Sequence, residues 1–226
     1  MDWINDFQLF LLDFDGLLVN TELLHYQAYL RMCAKRGHEL KWSFADFSRS
    51  AHYSSQQLRI DLYDSLPELH KQEPDWHILY TEKKKYYLEI LKETEIQLMP
   101  GVEKFLFQLH KKKIKRCVVT HSPREQVDFI RLQNKVLGTI EHWFTRENYN
   151  QSKPHPEPYL TAINHLAEPG DRIIGFEDSP RGIYSLLGTE AKAILICETI
   201  PEKIAHLVHE KKITHFPTID AISKIH

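Results

Sequence analysis

Residues Leu11 to Glu22 read LLDFDGLLVNTE. A hydrophobic run delivers two aspartates one residue apart, Asp13 and Asp15, and Gly16 follows at once. From Phe7 to Phe14 the chain is mostly apolar without clean alternation, the pattern of a strand buried on both faces. Carboxylates at the end of such a strand are costly unless something pairs with them. The identity of that partner decides both the fold and the chemistry.

Outward from this stretch the character of the chain changes. From about residue 21 to about residue 95 it is helix-like and rich in Lys, Glu, Gln and Tyr, with Gly37 its one glycine. Leu24, Ala28 and Met32 fall at helical spacing, as do Leu58, Leu62 and Leu66, and about four helices with no strand are predicted here. Met99-Pro100-Gly101 then punctuates the chain, and Val102, Phe105, Leu106 and Leu109 share one face of a following helix. The basic run HKKKIKR at 110–116 reads as the solvated end of that helix and its turn, leading into a short strand, CVVTH. Pro123 stands where a helical turn would begin. Further strands are predicted near Ile140 to Thr145, at Arg172 to Glu177 and at Ala193 to Cys197, with a Pro-rich loop (SKPHPEP) and helices between them. Alternating strands and helices imply a parallel, doubly wound α/β sheet, because parallel neighbours need crossover connections. The helical block breaks that alternation and reads as an inserted all-helical cap over 21–95, with 1–20 and 96–226 forming the core.

The totals agree with a globular chain. It has 226 residues, 42% hydrophobic and 27% charged, and Lys+Arg 29 against Asp+Glu 31 gives a net charge of −2. No overall field points to nucleic acid or an anionic membrane, and the single basic run has no interleaved aromatics for stacking. Cys33, Cys117 and Cys197 match neither a zinc nor a disulfide spacing and fit a reducing compartment. The 14 histidines show no HExxH spacing. No basic signal region opens the chain, and no segment approaches the roughly 18 apolar residues of a membrane span. The expectation is a cytoplasmic protein, monomeric by default.

In open α/β sheets ligands bind outside the carboxyl ends of the strands. Four places put polar groups there: Asp13 and Asp15 after the first strand, Thr120 and Ser122 after CVV, Lys153 in the Pro-rich loop, and Glu177 and Asp178 closing RIIGFE. Four carboxylates and one ammonium sum to about −3, a strong repulsion in a site shielded from water. A hard dication with oxygen ligands relieves it, and Mg2+ suits a site that keeps waters and meets a phosphate. The aspartates of the opening stretch are then paired with a metal.

Four motifs in order, DFDGLLVNTE, VVTHS, KPHPEPY and GFEDSPRGI, resemble those of the haloacid dehalogenase superfamily, in its phosphatase and β-phosphoglucomutase-like branch with a helical cap. The resemblance covers nearly the whole chain. It implies that Asp13 is the nucleophile that forms an aspartyl-phosphate, and that Asp15 is the general acid and then the base for water. It implies Mg2+ held by Asp13, the backbone carbonyl of Asp15 and Asp178, with Glu177 as ligand or orienting group. Thr120 and Lys153 would bond the transferring phosphoryl oxygens. A true dehalogenase needs no acid for a halide and lacks an aspartate at the position of Asp15, so phosphate transfer is the better reading.

Other candidates carry two readings. Gly16, Ser122 and His121 lie beside the phosphate position; His121 replaces a small or polar residue and could narrow that pocket. His25, ten residues after Asp15, is a substrate contact or a packing residue of the first cap helix. Arg49 and His52 lie where the family's cap loop reads substrate, but the glycine usual in that loop is not evident. Asp-x-Asp-Gly alone would be a turn, and Ser179-Pro180 would be a helix start; both are compatible with a site. The expected function is a Mg2+-dependent phosphatase acting on a small phosphorylated metabolite such as a sugar phosphate. The alternatives are a phosphomutase that returns the phosphoryl group to sugar, and a non-catalytic phospho-ligand binding module.

Overall fold

The structure is a computed structural model of the chain that describes residues 2–225, the side chain of His52 excepted. The chain divides into two compact units: one takes the residues up to Asn20 and those from Gln97 on, the other Thr21–Ile96.

Strand β1 (Leu9–Leu12) opens the first unit, and all four of its residues are buried. The chain then builds the second unit from helices α1 (Glu22–Lys35), α2 (Phe44–Tyr53), α3 (Ser55–Ser65), α4 (Pro67–Gln72) and α5 (Trp76–Glu93). It returns with α6 (Val102–Lys111), β2 (Lys115–Val119), α7 (Arg124–Gln133), β3 (His142–Phe144), α8 (Glu157–Leu166), β4 (Ile173–Glu177), α9 (Pro180–Leu187), β5 (Lys192–Ile196), α10 (Glu202–His209) and β6 (Thr214–Phe216). The strands form one parallel sheet in the order β3-β2-β1-β4-β5-β6. This is the doubly wound α/β architecture read from the sequence, with β1 at its centre.

The period of two along a strand sends alternate side chains to opposite faces. Leu9 and Leu11 join Cys117, Val119, Tyr159, Ile183 and Leu186 in one buried cluster. Phe10 stacks on Phe176, ring centroids 6.0 Å apart, and packs with Trp3 and Phe105. Gly175 in β4 has a specific reason to be glycine: a Cβ there would lie 2.3 Å from Leu186, so its absence lets α9 approach the sheet. In the second unit Tyr29, Met32, Phe47, Leu58, Leu62, Leu69 and Leu79 form a separate core. Helix α2 begins with a reciprocal cap between Ser43 and Asp46.

The structure departs from the sequence reading in four places. The helical unit has five helices and not four, because the six-residue α4 buries only Leu69 and carries no periodic signature. A sixth strand, β6, follows α10; its residues are only half-buried, so no apolar run announces it. Pro123 stands at the cap position of α7 and not inside its first turn. Arg116 of the basic run is buried within β2, its guanidinium donating to the carbonyls of Ile114 and Thr139, so only the first part of the run is a solvated helix end and turn. Among the described residues no helix is long and apolar enough to cross a membrane.

Candidate active site

Strands β2, β1 and β4 are adjacent and parallel, so their carboxyl ends share one rim. The residues after β1 and β2 each continue the ladder by one hydrogen bond. The amide of Asp13 donates to the Phe176 carbonyl at 3.0 Å, and that of Thr120 to the Phe144 carbonyl at 2.9 Å. Glu177 is the last residue of β4 and Asp178 the next. The backbone that carries these groups is therefore as fixed as the sheet itself. Lys153 reaches the rim from the loop before α8, its peptide bond to Pro154 being cis.

The Lys153 ammonium is the centre of the arrangement. Four oxygens share its three protons: Asp13 Oδ1 at 2.6 Å, Glu177 Oε1 at 2.6 Å, the Val119 carbonyl at 2.8 Å and the Tyr159 hydroxyl at 3.0 Å from Nζ. Burial opposes the charge on Lys153, but Asp13 and Glu177 more than offset it and hold the ammonium protonated. Glu177 is fully buried, and its Oε1 also accepts the Tyr159 hydroxyl at 2.5 Å. Gly182, in the first turn of α9, is what makes room for that carboxylate: a Cβ there would lie 1.8 Å from Glu177 Oε2.

Asp13 sits in a different balance. Burial and the negative charge of Glu177 push its carboxyl up from an ordinary 3.8 to about 7, against the pull of Lys153. One ammonium is thus too little cation for the acids around it. Carboxylate oxygens of Asp13, Glu177 and Asp178 lie within 4.8 Å of one another, an all-oxygen set that fits a hard dication such as Mg2+.

Asp15 forms a second cluster on the same unit. Its Oδ2 accepts the Ser122 hydroxyl at 2.6 Å and the Thr120 hydroxyl at 3.2 Å. Gly16 follows in a left-handed turn with φ +82°, its amide donating to the Val19 carbonyl at 2.9 Å. His121 is exposed, its ring 6.5 Å from that of Tyr149.

The structure therefore gathers Asp13, Lys153, Glu177 and Asp178 into one group, with Asp15, Thr120 and Ser122 hydrogen-bonded to each other nearby in the fold. His25, Arg49 and His52 belong to the helical unit. His25, on α1, stacks on Tyr87 with ring centroids 4.1 Å apart, and its Nδ1 lies 2.7 Å from Lys83 Nζ. Arg49 is exposed on α2, 3.4 Å from Asp46, beside a cleft of about 560 Å³ lined also by Trp42, Ser50 and Tyr53. His52 is on α2, and its side chain lies outside the described residues. Sequence reasoning passed over Tyr159 and Gly182. Tyr159 had a signal: it sits six residues after Lys153, one helical turn into α8 and on its buried face.

The family described as haloacid dehalogenase-like hydrolase matches residues 10–196. The protein CbbY of Rhodobacter capsulatus is 26% identical over 186 residues, covering 81% of this chain and 82% of that one. A phosphorylated carbohydrates phosphatase of Thermotoga maritima is 27% identical over 180 residues, 76% of each chain. Among solved structures, a HAD hydrolase of Entamoeba histolytica superposes with a TM-score of 0.74 at 23% identity, covering 96% of this chain and 95% of that one.

Proposed function

Because the chain belongs to the haloacid dehalogenase-like hydrolases, we propose that it is a phosphomonoester hydrolase, dependent on Mg2+, that works on a small phosphorylated metabolite through a phosphoryl group carried on Asp13. The observation that carries the reading is the buried group in which Lys153 ties Asp13 to Glu177 while the Asp178 carboxylate stands within 4.8 Å. Acids concentrated this way at a strand end are costly to fold and have value where a phosphoryl group and a cation meet. The phosphatase relatives support the reaction class, and the name of the Thermotoga relative supports a sugar phosphate as substrate.

Each residue then has a task. Asp13 attacks phosphorus, and the ester P–O bond breaks. The leaving oxygen departs as an alcohol with the proton of Asp15. Water next attacks the phosphorus of the aspartyl-phosphate and gives its proton to Asp15, releasing inorganic phosphate and restoring Asp13. The sum is ester plus water giving alcohol plus phosphate. Lys153 and the Thr120 hydroxyl offer donors to the phosphoryl oxygens, whose charge grows in transfer. Asp13, Asp178 and the backbone carbonyl of Asp15 would hold Mg2+, with Glu177 as a ligand or as the anchor of Lys153. The metal, when bound, supplies positive charge that keeps Asp13 ionised and screens it from an anionic substrate.

The test is phosphate release from a panel of small phosphomonoesters that includes β-glucose 1-phosphate, with Mg2+ and with excess chelator. The wild type is expected to release phosphate only with the metal, and Asp13→Asn is expected to lose at least about a thousandfold of it. Full turnover in chelator would remove the metal from the account. Equal turnover by Asp13→Asn would remove the nucleophile.

A further inference from the structure

Ser122 reads from the sequence as a candidate beside the phosphate position, and its hydrogen bonds give it a further task. Each polar atom of the residue has a partner within the protein. Its amide donates to Thr120 Oγ1 at 3.0 Å, its hydroxyl donates to Asp15 Oδ2 at 2.6 Å, and its carbonyl accepts the Arg146 amide at 3.2 Å. Only 9% of the residue is exposed. Thr120 Oγ1, having accepted the Ser122 amide, turns its own proton toward Asp15 Oδ2 at 3.2 Å. The Thr120 backbone is in turn held from both sides, its amide on Phe144 and its carbonyl accepting the Tyr149 hydroxyl at 2.8 Å. Two hydroxyls two residues apart on one extended segment thus close on a single carboxylate oxygen, with the exposed His121 between them.

We propose that Ser122 is a positioning residue that acts through Asp15, fixing the orientation of the carboxyl that protonates the leaving group. The Ser122 hydroxyl stays on Asp15 Oδ2 when the single Thr120 proton passes to a phosphoryl oxygen. The inference rests on the phosphatase reading and deepens it. In the first half-reaction the P–O bond to the leaving oxygen breaks as Asp15 gives that oxygen its proton; in the second, the proton returns to Asp15 from the attacking water. Serine at 122 keeps the Asp15 carboxyl in one orientation for both transfers and spends no group on substrate.

General-acid help matters in proportion to the basicity of the leaving oxygen. That dependence separates positioning of the acid from a packing role or a substrate contact. The measurement is kcat/KM for a series of substituted phenyl phosphates, from p-nitrophenyl to unsubstituted phenyl, with Mg2+ present. Wild type, Ser122→Ala, Ser122→Cys and Ser122→Thr are compared. Ser122→Ala is expected to lose about twofold on p-nitrophenyl phosphate, growing to about tenfold or more on phenyl phosphate. Ser122→Cys keeps the side-chain size with a weak donor and is expected to show the same steepening, so the result does not hang on the alanine variant folding. Ser122→Thr restores the donor and the wild-type slope. A uniform loss along the series, or none, overturns the inference and leaves the phosphatase reading standing. A wild type that releases phosphate from no ester overturns both.

Discussion

Two buried lysines, one in each unit, sit in contrasting surroundings. Lys153 in the core is 8% exposed and rests on two carboxylates, a carbonyl and a phenol hydroxyl, all within 3.0 Å. Lys83 in the helical unit is 5% exposed, and its contacts include the His25 ring nitrogen at 2.7 Å and the faces of Tyr29 and Tyr87, each centroid 5.1 Å from Nζ. The core thus answers charge with charge, in a balance that one added cation or anion can tip. Around Lys83 stand polarisable rings that stabilise a cation without binding it as tightly. The first arrangement is suited to receiving ions, and the second to keeping a charge in place.

The sharpest way to break this contrast is to remove the core cation. Lys153→Met keeps the length of the side chain and leaves Asp13 and Glu177 facing each other with nothing between them. Removing one partner of a buried ion pair costs roughly 3–5 kcal/mol, which for a chain of this size lowers the melting temperature by about 10 °C. Phosphate release is expected to fall by about a hundredfold or more. Thermal melts in chelator at pH 8 and pH 5 read the cause: the deficit shrinks at the lower pH, where the buried acid takes up a proton. An equal deficit at both values would mean that Lys153 matters for packing and not for charge.

The next effect in size concerns the acid that the lysine cannot fully neutralise. In the metal-free chain the Asp13 carboxyl is held at about 7 against an ordinary 3.8, first by burial and then by Glu177. The folded state therefore binds more protons than the unfolded state between those values, and stability falls as pH rises through that window. Asp13→Asn removes the titrating group. In chelator at pH 8 it is expected to melt on the order of 5 °C above the wild type while being inactive, and at pH 4 the two are expected to converge. Added Mg2+ is expected to raise the wild type more than the variant. A wild type whose metal-free stability rises from pH 4 to pH 7 would contradict the picture of a site short of cation.

How much of this was legible in the sequence follows from where each residue sits. Asp13, Thr120 and Glu177 stand at the ends of short apolar runs, and a parallel sheet brings such ends to one rim whatever their separation along the chain. Lys153 is marked by the prolines around it. Tyr159 is less visible because it is one buried residue among several on α8, and only the structure turns its hydroxyl to Glu177. Ser122 was visible as a polar residue near the rim, but its attachment to Asp15, 107 positions away, is a fact of the fold and not of local pattern. The edge strand β6 escaped for a different reason. An edge needs burial on fewer sides, and Thr214–Phe216 carries no apolar run to betray it. The short α4 likewise has too few turns to display a period.

The smallest expected effect tests the other side of the contrast, a charge placed where water can answer it. Arg49 is 76% exposed at its side chain, and Asp46, three residues away on the same helix, lies 3.4 Å from it. Exposed pairs of this kind gain little, because solvent and salt screen the attraction and two long side chains lose freedom to make it. Arg49→Ala is therefore expected to shift the melting temperature by no more than about 1 °C, against about 10 °C for the loss of the Lys153 cation. A fall of several degrees would make Arg49 part of the architecture of the helical unit. With the melt unchanged, any rise in KM for a substrate from the panel belongs to the missing guanidinium itself, and the cleft beside Arg49 becomes the place where that substrate is read.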